Sequence, residues 1–165
     1  MGVSYEQHRN SYALNRGRSI KTELRMGTAH RVRLMVDIGR HLGLPRNQRT
    51  CPCCGKGVED AFHFTEKCPA YAKEREEFRR CIECDGEDPY DVLALKPQQR
   101  HRLLLGDGPD KNDDNYARWR HIEKNYFVYL ASAAARRAEL TRPSIDRPAD
   151  WLPNRRGSMA KSPGR

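Results

Sequence analysis

Long apolar runs are missing from this 165-residue chain. No stretch approaches the roughly 18 consecutive apolar residues that a membrane-spanning helix requires. The first residues also lack the apolar core of a secretory signal. Apolar side chains are scarce at 37%, charged ones reach 32%, and mean hydropathy is −0.93. The expectation is therefore a soluble chain with no membrane partner: one modest domain with a small core and poorly ordered extensions. Without a secretory context, the six cysteines read as metal ligands more readily than as a disulfide scaffold, which stays the minority reading. The compartment implied is reducing and intracellular, nucleus or cytoplasm, with the mitochondrion as a further option. The arginines among residues 1–18 are faintly reminiscent of a transit peptide.

Acidic residues are sparse at both ends. Residues 1–50 carry ten Lys/Arg against three Asp/Glu, residues 51–140 fifteen against seventeen, and residues 141–165 six against two. Basic flanks around a near-neutral middle point to a polyanionic partner, most simply nucleic acid held through its phosphates, with a merely solvated surface as the alternative. The cations expected to make those contacts are Arg16, Arg18, Lys21, Arg25, Arg31, Arg33, Arg40, Arg46 and Arg49.

The chemistry concentrates in CPCCGKGVEDAFHFTEKC, residues 51–68. Cys51, Cys54, His63 and Cys68 follow the spacing C-x2-C-x8-H-x4-C and supply three thiolates and one imidazole, the donor set of a closed structural zinc site. One Zn2+ is the expected cofactor. Gly55 and Gly57 permit a tight turn whose amides face the sulfurs, and Phe62 and Phe64 flank the histidine to exclude water. Cys53 is a spare thiol, and its exchange with Cys51 or Cys54 stays open. The second pair, Cys81 and Cys84, would need two further ligands, with Cys53 and His101 nominated only by elimination. Partly buried thiols near a helix end are the preferred reading.

The pattern elsewhere is helical, and the predicted fold class is mainly α: a small helical domain built around a CCHC knuckle. Residues 1–18 read as an extended or weakly ordered basic arm carrying Arg9, Arg16 and Arg18, with Tyr5 and Tyr12 to anchor it or stack on bases, and residues 19–140 as the domain. Ser19 suits the N-cap of a first helix and Thr28 that of a second, with Leu34, Met35, Ile38 and Leu42 on one stripe and His30, Arg31, Arg33, Arg40 and His41 on other faces. A third helix is expected over 69–84, a short apolar one at 92–95, another from Pro97 to the stop at Gly106, and the longest over 116–140. The loop 107–115 holds four aspartates but lacks the spacing of an EF-hand. From residue 141 a basic, Pro-rich tail with Trp151 and Leu152 has no pattern of its own.

The motifs LRMGTAH (24–30), GLPRNQRTCPCCG (43–55), EDAFHF (59–64) and CPAYAKEREEFRR (68–80) together resemble the zinc-binding C-terminal region of LINE-type (non-LTR) retrotransposon reverse transcriptases. The resemblance covers roughly residues 20–84. It implies a metal-stabilised contact with RNA or DNA, with Cys51, Cys54, His63 and Cys68 at the ligand positions. No YxDD-type polymerase motif occurs in these residues, so the resemblance implies a tail detached from any polymerase domain.

Three functions are thus in play. The first is a zinc-stabilised nucleic-acid-binding module, with RNA favoured over DNA. The second is a structural subunit of a large ribonucleoprotein such as a mitochondrial ribosome, with neighbouring proteins as partners. The third, a metallohydrolase or nuclease using Glu59/Asp60 or the 107–114 aspartates, is set aside: a catalytic zinc keeps an open position and this motif supplies four ligands. The chain is not expected to be an enzyme.

Overall fold

The computed structural model describes residues 5–28, 31–84 and 88–142, with side chains from Asn10 onward in the first helix. The side chains of Tyr5 and Arg9, His30, residues 85–87 of the acidic turn, and the tail from 143 with Trp151 and Leu152 lie outside the described residues. The chain is mainly helical, with α1 (Tyr5–Met26), α2 (Met35–His41), α3 (Ala72–Cys84), α4 (Pro97–Leu105) and α5 (Tyr116–Thr141). The described residues contain no strand, only an isolated antiparallel bridge between Thr50 and Val58.

Helix α5 is the central brace, as the pattern over 116–140 predicts. Trp119, Ile122, Tyr126, Tyr129, Leu130, Ala133 and Ala134 are buried along it, because α1 and α3 both pack against it and widen the arc of the helix that must be apolar. On the α3 side, Phe78 lies 5.6 Å from the Tyr126 ring and 5.8 Å from that of Tyr129. Such ring pairs add about 0.5–1.5 kcal/mol each beyond the area they bury. On the other side α1 runs antiparallel to α5, since Gly17 meets Phe127 while Lys21 meets Glu123. A Cβ on Gly17 would sit 1.9 Å from the Phe127 carbonyl oxygen. Only glycine lets the two backbones approach so closely.

Three expectations about local structure are corrected. Residues read as an extended or weakly ordered arm are helical from Tyr5 and continuous with the helix expected from Ser19. That half of α1 has few large apolar residues, and its contact with α5 depends on the small Gly17 rather than on a broad apolar stripe. The second helix does not begin at Thr28: α2 spans only Met35–His41, Leu34 precedes it, and Leu42 is exposed. Arg33 adopts a φ of 54°, which breaks the helix ahead of α2. Its start is anchored at a distance, the Met35 N–H donating to the Glu59 carboxylate (2.8 Å) and the Val36 N–H to the Glu59 carbonyl (3.0 Å). Residues 92–95 form a turn rather than a helix, although Val92 is fully buried.

Helix α4 forms as predicted, with Pro97 at its first turn and Gly106 at its end. It is tied to the segment before α3 by a buried pair, Arg100 donating to Glu66 at 2.7 and 3.1 Å.

Candidate metal centre

The loop 51–57 is closed by its own backbone: the Cys51 N–H donates to the Gly57 carbonyl (3.0 Å) and the Gly55 N–H to the Cys51 carbonyl (2.9 Å). Gly55 and Gly57 take φ values of 67° and 65°, the left-handed region that side chains disfavour. The turn aims the Cys53 and Cys54 amides at the Cys51 sulfur, and the Lys56 N–H lies 3.4 Å from the Cys54 sulfur. The remaining donors come from the segment before α3. His63–Lys67 form a wide turn in which the Cys68 N–H reaches back to the His63 carbonyl at 2.7 Å. Five α-helical steps would leave positions 63 and 68 about 140° apart. The wider five-residue closure brings them to one side instead, a physical reason for the x4 spacing.

The result is one cluster. The Sγ atoms of Cys51, Cys54 and Cys68 and a His63 ring nitrogen all lie within 4.8 Å of one another, a set that can hold a metal ion. Cys51 and Cys68 Sγ are 3.8 Å apart, and Cys54 Sγ is 3.3 Å from His63 Nε2. All six cysteines are unbridged. Cys51 and Cys68 are buried, while Cys54 is half-buried. Burial pushes the Cys68 thiol up to about 12, against the Ala70 amide that favours the thiolate. The Cys51 thiol is also pushed up, by its hydrogen bond to Cys53 first and then by burial and the nearby Glu59 carboxylate. His63 is held below its ordinary value by burial, which leaves the ring neutral and able to ligate. A bound cation is what would keep these sulfurs as thiolates.

Around the cluster sits a layer that the spacing did not reveal. Glu59 is fully buried. Its two oxygens accept from Arg137 Nε and Nη2 at 2.8 Å each, and Oε1 lies 3.7 Å from the Cys51 sulfur. One carboxylate thus joins the knuckle, the start of α2 and the far end of α5. Burial works against the Arg137 charge, but the Glu59 pair more than restores it and raises its pKa. The Tyr71 hydroxyl donates to the Cys53 sulfur at 3.2 Å, so Cys53 is turned to the short turn that leads into α3. Cys53 also lies with Cys51 and Glu59 in a second close group, but both Glu59 oxygens are already engaged by Arg137. Glu59 falls inside the EDAFHF motif, whereas nothing in the charge pattern distinguishes Arg137 from a surface cation.

The flanking aromatics divide the work. Phe64 is buried edge-on to Tyr71, with ring centroids 5.1 Å apart, and Phe62 packs against His101 at 5.2 Å. Cys81 and Cys84 lie exposed on α3 and outside both cysteine groups, more open than the partly buried thiols expected. His101 faces Thr65 at 2.8 Å.

The nine predicted phosphate-contacting cations are not one surface. Lys21 is buried in a 2.8 Å pair with Glu123. Arg49 folds back on the Leu44 and Val36 carbonyls at 2.8–3.1 Å. Both hold the fold together. Arg33 contributes its carbonyl to Arg137 (3.0 Å), with its side chain exposed. Arg25 pairs with Asp107, Arg31 with Glu23, Arg40 with Asp37 and Arg46 with Asp60. The arginines of these pairs are exposed, and in the Arg25–Asp107 pair the carboxylate is exposed as well; a pair open on both sides contributes little stability and yields readily to a stronger anion. Arg16 donates to the Tyr12 hydroxyl (3.0 Å), and Arg18 lies over the Phe127 ring.

No protein-family model, curated protein or solved structure matches the chain. No helix among the described residues is long and apolar enough to cross a membrane.

Proposed function

We propose that this chain is a zinc-stabilised nucleic-acid-binding module, with RNA favoured over DNA, related to the tail of LINE-type reverse transcriptases. The observation that carries the metal half is the convergence of Cys51, Cys54, His63 and Cys68 with backbone amides directed at the sulfurs. Three sulfurs and one imidazole are a zinc donor set. Two sulfurs about 2.3 Å from a tetrahedral ion stand about 3.8 Å apart, which agrees with the 3.8 Å between Cys51 and Cys68. Four protein donors leave no open position, so the ion's role is to fix the loop 51–57 to the start of α3 rather than to activate a water.

The nucleic-acid half rests on the net charge of +9, on exposed arginines, of which Arg25 faces the exposed carboxylate of Asp107, and on the exposed Tyr12 beside Arg16, a ring available for base stacking. The test is metal analysis of the purified chain together with RNA and DNA binding at two salt concentrations. One zinc per chain and binding that weakens steeply with salt are expected. A chain without metal, or with a flat salt response, would overturn the reading.

A further inference from the structure

We infer that the groove between α1 and α5 binds the phosphodiester backbone of a single nucleic-acid strand, an assignment that rests on the nucleic-acid reading above. The groove has a volume of about 240 Å³, and its lining includes Arg18, Lys21 and Arg25 from α1 with Arg120 and Glu123 from α5. Lys21 and Glu123 close its floor as a buried pair, and the Phe127 ring lies beside them. The Arg18 guanidinium sits 5.7 Å from the centre of that ring and the Lys21 ammonium 5.9 Å. A guanidinium resting on an aromatic face is positioned in advance yet keeps its edge N–H groups for an anion.

The walls are supplied by Arg25 and Arg120, whose side chains are 42% and 44% exposed. Arg120 shares Glu123 with Lys21 (2.9 Å). Arg25 faces Asp107, which is 86% exposed, so a phosphate can take that carboxylate's place at small cost. Four cations thus meet two carboxylates, one of them removable. Three of the four are arginines, whose forked donors match phosphate oxygens in pairs. The groove, of about 240 Å³, is on the scale of a short stretch of one backbone and not of the width of a duplex, so a single strand is the form it fits. Arg120 stands outside the nine predicted phosphate contacts, where the sequence reads it only as one of several cations around the longest helix that extend a basic face; it lies about 100 residues from the N-terminal arginines that it joins.

The test uses the full, metal-loaded chain and a fluorescein-labelled single-stranded uridine 20-mer, with affinity read by anisotropy across a salt series. Two double variants are compared: Arg18→Gln/Arg120→Gln in the groove, and Arg80→Gln/Arg136→Gln at exposed positions outside it. They carry the same net charge. Circular dichroism and zinc content establish that each is folded. Removing two phosphate contacts from a single-strand complex lowers the slope of log affinity against log salt by about 1.4, and we expect the groove variant to show that change and to lose about tenfold in affinity. The off-groove variant should change by less than threefold. Equal losses in both variants would overturn the groove while leaving the nucleic-acid reading intact. No salt-dependent binding by the unaltered chain would overturn that reading, and the groove with it.

Discussion

Replacing Arg137 by methionine tests what joins the metal loop to the long helix. The change leaves the Glu59 carboxylate, which is 0% exposed, without the guanidinium that donates to both its oxygens at 2.8 Å. Breaking a buried pair from one side costs about 3–5 kcal/mol, because the other charge stays buried and uncompensated. For a chain of this size that corresponds to a Tm lower by about 10 °C. The double variant Glu59→Met/Arg137→Met removes both charges and replaces them with apolar volume, which is often neutral or better. It still orphans the Met35 N–H, now bonded to Glu59 at 2.8 Å, and an unsatisfied buried donor costs about 1–3 kcal/mol. The double variant should therefore be more stable than the single one. Urea denaturation of the metal-loaded proteins, with zinc content verified before each series, measures both. An Arg137→Met cost below about 1 kcal/mol, or a double variant less stable than the single, would refute this account of Glu59 as a paired charge on which the knuckle depends.

Further outcomes follow from the site and the helix packing. His63→Ala or Cys54→Ser should lose one equivalent of zinc by mass spectrometry, whereas Cys84→Ser, on an exposed thiol outside the cluster, should retain it. Chelation of the unaltered chain should lower its Tm, since metal binding and folding are linked. Gly17→Ala places a methyl group 1.9 Å from the Phe127 carbonyl oxygen. Over-packing of this kind costs about 1–3 kcal/mol, and thermal melts should show α1 displaced from α5. His101 is held below its ordinary pKa mainly by burial. The unfolded chain therefore takes up the proton first on acidification, and the stability His101 contributes is full above about pH 6.5. It should be lost as pH falls through the folded value. Denaturation midpoints between pH 7 and 5 should fall less steeply in His101→Gln.

The Cys/His cluster, α3, α4 and α5 are legible because their signals are local: a donor spacing over eighteen residues, a proline and a glycine bracketing α4, and aromatic or aliphatic residues recurring every three or four positions along α5. The extent of α1 was not legible, since its first half is held by the near-contact of Gly17 with Phe127, and a glycine in a helix interior ordinarily argues against the helix. The start of α2 was misplaced for a related reason. Local patterning points to a capping residue next to the helix, at Thr28, whereas the N–H groups of Met35 and Val36 are satisfied by Glu59, 24 residues on from Met35. Lys21 and Arg49 read as surface cations in the sequence, whereas their long stems fold inward on Glu123 and on backbone carbonyls. Charge patterning gives sign and spacing along the chain but not the direction of a side chain.

The two contacts that define the architecture close loops of very different length. Cys51 and Cys68 are 17 residues apart, whereas Lys21 and Glu123 are separated by 102. Closing the longer loop carries about 1.6 kcal/mol more conformational entropy cost, scaling with the logarithm of length, and contacts distant in sequence are formed late. Assembly is therefore expected to proceed from the middle of the chain outward, with the knuckle and α3 present before α1 finds α5. Pulse-labelled hydrogen exchange would contradict this order if amides of residues 17–24 were protected ahead of those in residues 51–68. On this order the N-terminal helix is the last element to dock, so the cationic groove it forms with α5 exists only once folding is complete, and unfinished chains do not present it.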